Sequence, residues 1–152
     1  MRTIEKGVTR AVFDVVGFLR GLIYPGSRWG RIVFDHRGDY ELIISPPLVR
    51  EFLGTASRQR VNRKFGAILG RNLKTVLGII ERATVVQITD EIQTPYLRDP
   101  KENHVLATAV ADDADYIVTE DKDLLVLGTH RGIVICDAAS FLEVIGCGEH
   151  TR

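Results

Sequence analysis

Two cysteines in 152 residues are too few for a disulfide framework, and no Cys-x-x-Cys or Cys/His spacing offers a metal site. Cys136, inside the apolar run IVIC, reads as a buried thiol, and Cys147 lies in a Gly-rich tail. The four histidines, His36, His104, His130 and His150, have no spacing suggestive of a ligand set. No apolar run approaches the ~20 residues of a membrane helix, and the N-terminus carries no signal-peptide pattern. The expectation is a cytoplasmic protein with no membrane partner. Net charge is missing too: 20 basic and 20 acidic residues cancel, so the global balance says nothing about an acidic partner. Internal repeats and low-complexity segments are also absent.

What remains suits one domain with a sizeable core. Apolar residues make up 45% of the chain and charged residues 26%. Residues 1–152 are read as a single domain whose core spans roughly 10–145. Local charge is polarised although the total is zero. Arg58, Arg60, Arg63, Lys64, Arg71 and Lys74 follow one another with no acid between them. From Asp99 to Asp123 the chain carries eight acids against Lys101 and Lys122. One basic helix and one acidic edge are expected.

The hydrophobic pattern alternates strands with helices. Arg10 to Val16 reads as a buried strand carrying Asp14, followed by a turn or short helix over Gly17 to Ile23. Ser27 caps a segment running to about Phe34. Tyr40 to Ser45 is a second strand, and Ser45-Pro46-Pro47 starts a helix, because proline is tolerated in the first turn. Residues 60–82 give one or two helices, with Leu73, Val76, Leu77 and Ile80 on the inner stripe. Thr84 to Ile88, Tyr116 to Thr119 and Ile133 to Cys136 complete about five strands. Helices over Pro100 to Ala111, Asp121 to Leu127 and Ala138 to Ile145 lie between and after them. Such alternation implies an α/β fold with a central parallel sheet covered on both faces.

Acids recur at one address in that arrangement. Asp14 ends strand one, Glu51 sits in the first turns of the next helix, Asp99 and Glu102 open a later helix, and Asp121 follows strand four. With parallel strands all converge on the carboxyl edge, where ligands bind in open α/β sheets. Each alone has a bland reading: Asp99 and Asp121 as helix caps, Glu102 as a charge on the helix dipole, Glu51 as a solvated face residue. Asp112, Asp113 and Asp115 read as a solvated helix-end turn. Asp14 resists such a reading, because a carboxylate in an apolar strand is costly unless paired or metal-bound. Clustered carboxylates raise each other's pKa unless a cation neutralises them, and hard oxygen ligands suit Mg²⁺ or Mn²⁺. Such ions activate water and offset charge on a phosphodiester.

Taken in order, Asp14, SPPLVREF, RDPKEN with HVLATAV, and ADYIVTEDKDLL resemble PIN-domain ribonucleases. The likeness is greatest to the toxin components of bacterial toxin–antitoxin pairs and covers roughly residues 10–145. The resemblance implies a three-layer α/β/α fold and a Mg²⁺- or Mn²⁺-dependent endoribonuclease. It matches Asp14 to the first family acid, Glu51 to the second and Asp121 to the acid after strand four, with Asp123 auxiliary. The third acid falls among Asp99, Glu102 and Asn103, and the sequence leaves open which of them binds metal. Arg58, Arg60, Arg63 and Lys64 could track an RNA backbone, or form a solvated face. A small antitoxin and a homo-oligomer, dimer or tetramer, are the further partners implied. Two departures stand out. Val15 and Val16 replace the small hydroxyl residue and Asn that usually follow the first Asp, and Glu102-Asn103 replaces two adjacent carboxylates. They keep open an alternative, a catalytically degenerate RNA-binding or protein-interaction module. An Asp-nucleophile phosphatase fits less well, since Val16 stands where its second Asp would.

Overall fold

The computed structural model describes residues 8–60, 63–88 and 100–150; for helix residues 59, 60, 63–65, 68, 69, 73, 100–102 and 147–150 the backbone alone is described. Six strands form one sheet: β1 (Thr9–Phe13), β2 (Tyr40–Ile44), β3 (Thr84–Val85), β4 (Tyr116–Val118), β5 (Thr129–His130) and β6 (Ile133–Cys136). Their order is β3-β2-β1-β4-β6-β5. All neighbours pair in parallel except β5 with β6. The helices are α1 (Val15–Ile23), α2 (Arg28–Gly30) with a π-helical turn at Arg31–Asp35, α3 (Pro46–Arg60), α4 (Arg63–Arg82), α5 (Pro100–Ala111), α6 (Lys122–Leu125) and α7 (Ala138–His150).

The period of two along the strands builds two cores. Ala11 and Phe13 face a cluster with Phe18, Leu22, Trp29, Val76, Ile79 and Phe141. Val12, Ile43 and Ile117 face the other side, against Val105, Leu106, Ala109 and Leu124. The layers are therefore α1, α2, α4 and α7 on one face and α5 and α6 on the other, the expected three-layer arrangement.

Several boundaries differ from the sequence reading. Strand β1 stops at Phe13: Asp14 leaves the strand and caps α1, its side chain accepting from the Gly17 amide. Val15 and Val16 belong to that helix, not to the strand. The basic stretch is described in two helices, α3 to Arg60 and α4 from Arg63, and residues 61 and 62 lie outside the described residues. On α4, Leu77 is exposed and Ile79 takes the inner place. Strand β5 is additional to the five expected strands. It pairs antiparallel with β6 across Arg131 and Gly132, both at positive φ (52° and 82°). Two such residues give the tight hairpin turn whose twist matches its strands.

Chain order places the site. The path runs from β1 to β2 and β3 on one side, then returns to β4 on the other side of β1. The carboxyl ends of β1 and β4 thus flank a topological switch point, where open α/β sheets form a crevice.

Candidate active site at the carboxyl edge

At the switch point the two strand ends are stitched together. The Asp14 amide donates to the Val118 carbonyl (3.1 Å), and the Thr119 amide donates to the Cys136 carbonyl (3.0 Å). Asp14 therefore meets the segment Thr119-Glu120-Asp121. Its Oδ1 accepts from the Gly17 amide, and its Oδ2 from the Thr119 hydroxyl and the Glu120 amide (3.2 Å). Thr119 is fully buried, and its Oγ1 also accepts from the Asp121 amide (3.0 Å). One hydroxyl thus joins Asp14 to the first turn of the next element. Asp121 caps α6, with Oδ1 accepting from the Asp123 amide (2.8 Å).

Burial dominates the electrostatics of Asp14 and raises its carboxyl pKa. Hydrogen bonds from Thr119, Gly17 and the Glu120 amide pull the other way, and the Glu120 charge adds to the rise. Among the described residues no Lys, Arg or His side chain forms an ion pair with Asp14, Glu120 or Asp121.

Asp14, Asp121, Glu120 and Glu51 line a cleft of about 300 Å³ with Val15, Val16 and Arg20. One oxygen of Glu120 is already engaged, its Oε2 accepting from Trp29 Nε1 (3.2 Å) and the Ala138 amide (2.9 Å). It clamps the loop after β4 to α2 and to the start of α7. Beneath α1, Gly17 makes room for Trp29: a Cβ on Gly17 would lie 2.3–2.7 Å from the indole. The indole in turn stands edge-on to Phe13, ring centroids 5.6 Å apart.

Glu51 reaches the cleft from α3 and pairs with His104 of α5, Oε1 to Nδ1 at 2.9 Å. That pairing rests on a buried chain. Thr108 Oγ1 donates to the His104 carbonyl (2.6 Å), so Ser45 Oγ is the donor in the 2.7 Å bond with Thr108.

Of the expected residues, Asp14, Glu51 and Asp121 share the cleft. Asp123 is exposed in the first turn of α6. Asp99 lies outside the described residues, as do the side chains of Glu102, Arg60, Arg63 and Lys64. Asn103 is partly buried on α5, and Arg58 is exposed on α3, donating to Thr55 Oγ1 (3.0 Å). Sequence reasoning missed Thr119, His104 and Arg20. Thr119 had a local signal, a hydroxyl two residues before a capping Asp. His104 had none, since its partner is 53 residues away.

The donor set can be tested against a divalent cation. Among the described residues no three His, Cys, Asp or Glu side chains are grouped closely enough to hold one. The oxygens of Asp14 and Asp121 nevertheless suit a hard ion. A carboxylate has about four accepting directions, and Asp14 uses three of them. Among the described residues no cationic side chain pairs with it. The residues present fit Mg²⁺ or Mn²⁺ as part of a ligand set.

A family model described as PIN domain matches residues 10–123. The fold is similar to the crystal structure of PAE2754 from Pyrobaculum aerophilum, with a TM-score of 0.55 at 17% identity, over 96% of this chain and 99% of that one. No curated protein matches at a significant level. No helix among the described residues is long and apolar enough to cross a membrane.

Proposed function

The chain belongs to the PIN-domain family, whose members are generally nucleases, and from that premise we propose that it is a Mg²⁺- or Mn²⁺-dependent endoribonuclease, the toxin half of a cytoplasmic toxin–antitoxin pair. One observation carries the catalytic part. Asp14 is a largely desolvated carboxylate that shares the cleft with Asp121, at the switch point of the sheet, with no cationic side chain paired to it among the described residues. Asp14 and Asp121 would hold the ion, and the sequence resemblance adds a ligand from among Asp99, Glu102 and Asn103. When bound, the ion supplies the charge that activates a water and offsets the negative charge growing on the phosphate.

The chain's own groups do the rest. Thr119 and the Gly17 and Glu120 amides fix both oxygens of Asp14 before substrate arrives, the preorganisation that favours a charged transition state. Arg20, the one basic side chain on the described cleft wall, contacts the scissile phosphate. Glu51 sits at the far wall, where it can accept a proton from the attacking water. The sequence resemblance supports RNA as substrate, and with it an antitoxin partner and a homo-oligomer.

A catalytically degenerate module is the second reading, favoured by Val16. That side chain stands 62% exposed at the cleft, where a polar group would help orient water. The deciding experiment incubates the protein with mixed single-stranded RNA in Mn²⁺, Mg²⁺ or chelator, alongside Asp14→Asn and Asp121→Asn. Metal-dependent cleavage lost in both variants supports the enzyme. No cleavage, together with no Mn²⁺ binding by calorimetry, leaves the binding module.

A further inference from the structure

A second recess of about 280 Å³ adjoins the first and shares Glu51 with it. It lies between α3 and α5. Arg50, Glu51, Gly54 and Arg58 line it from α3, and His104 from α5. The spacings of three, four and seven residues put the α3 side chains on one helix face. Both arginines are exposed. The Arg58 guanidinium is laid against its own helix, Nη2 donating to Thr55 Oγ1 (3.0 Å) and Nη1 3.7 Å from where a Cβ on Gly54 would stand. An arginine held in this way loses less freedom when it meets a phosphate.

His104 is held more firmly. Its main chain is tied through Thr108 to Ser45, and its ring through Nδ1 to Glu51. An ionised carboxylate only accepts, so Nδ1 carries the hydrogen. In the neutral ring Nε2 is then a fixed acceptor, on a side chain 39% exposed. A phosphate offers an acceptor no hydrogen. A ribose 2′-hydroxyl does, and it is the group by which proteins tell RNA from DNA.

We propose that this recess holds a nucleotide flanking the scissile phosphate, with Arg50 and Arg58 on its phosphate and His104 Nε2 accepting from its 2′-hydroxyl, so that the site selects RNA over DNA. The proposal rests on the nuclease reading for its substrate, but its test does not need turnover.

The test is the affinity of matched single-stranded RNA, DNA and 2′-fluoro oligonucleotides, by fluorescence anisotropy at pH 8 in chelator. Wild type is expected to bind RNA about 3- to 10-fold more tightly than the other two, the worth of one hydrogen bond. His104→Ala and His104→Leu should bring RNA down to the DNA value and leave DNA unchanged. The double variant Arg50→Ala, Arg58→Ala should weaken RNA and DNA alike and flatten the salt slope by about 0.7, the worth of one phosphate on a single strand. Equal losses for RNA and DNA in both His104 variants overturn the proposal, as does a wild type without preference. Mn²⁺ calorimetry on the same preparation separates the two ideas. An RNA preference lost with His104 in a protein that binds no Mn²⁺ upholds the recess and defeats the nuclease.

Discussion

The two edges of the central sheet use the same acidic residue types to opposite ends. At the amino edge, Arg10 is buried (9% exposed), and its guanidinium pairs with Glu41 (3.2 Å) and Asp112. Its amide donates to Asp115 Oδ2 (2.9 Å), and Thr84 Oγ1 donates to Glu41 (2.6 Å). Burial alone would lower the Arg10 pKa, but Asp112 and Glu41 more than reverse this and hold it above the ordinary value. At the carboxyl edge, the donors to Asp14 among the described residues are all neutral, and its pKa is raised. Acids that exist to hold the fold bring their own cation. Acids left without one in a cleft point to a cation that arrives with the ligand.

Substitutions at each edge separate these roles. The largest effect expected is on catalysis. Asp14→Asn should cut metal-dependent RNA cleavage by about 100-fold or more, the scale of losing a principal electrostatic group. It should change thermal stability at neutral pH only a little, because Asn still caps α1 and removes a desolvated charge, while its Nδ2 cannot accept from the Glu120 amide as Oδ2 does. Gly17→Ala is the converse at the same edge. It changes no charge but drives a methyl group into Trp29, and should destabilise by ~3 kcal/mol, read in urea unfolding. Arg10→Met breaks the amino edge. Glu41 and Asp112 are each about a third exposed, so the cost should fall below that of a fully buried pair, at ~2 kcal/mol. Cleavage per folded molecule should not change.

The smallest effect is on pH dependence. Asp14 holds its proton more tightly when folded than when unfolded. As pH rises above 3.8 the unfolded carboxyl ionises first, so the Asp14 contribution falls until pH passes the raised folded value, and is level above that. Subtracting the Asp14→Asn stability curve from the wild-type curve should expose that downward slope. An upward slope would mean that Asp14 is stabilised as the ion without any metal.

Much of this was legible in the sequence because it is written locally. Strand-to-helix junctions announce themselves, and so Asp14 and Asp121 could be placed on one edge before any contact was known. The misread extent of β1 has a local cause as well: Val15 and Val16 continue an apolar run, and periodicity cannot tell a buried strand from a buried helix turn over so few residues. The β5 hairpin was hidden because Arg131-Gly132 is not the Asn-Gly or Asp-Gly pair that usually marks such a turn. The Ser45–Thr108–His104–Glu51 chain could not be read at all. Its partners lie 63 and 53 residues apart, and nothing in the sequence near His104 distinguishes it from His36 or His130. Asp112 and Asp115 read as part of a solvated turn, whereas both bind Arg10, a partnership that appears only when β1, β2 and the turn after α5 are brought together.

The most direct test of the difference between the edges is thermal melting with and without Mn²⁺, for wild type and Asp14→Asn. If Asp14 awaits a cation, Mn²⁺ at 100 times its dissociation constant should stabilise wild type by ~2.7 kcal/mol. That corresponds to a rise in Tm of roughly 5–11 °C for a chain of this size, and Asp14→Asn should show little or none of it. Equal shifts in both proteins, or none in wild type, would contradict the account and make the carboxyl-edge acids as structural as those around Arg10.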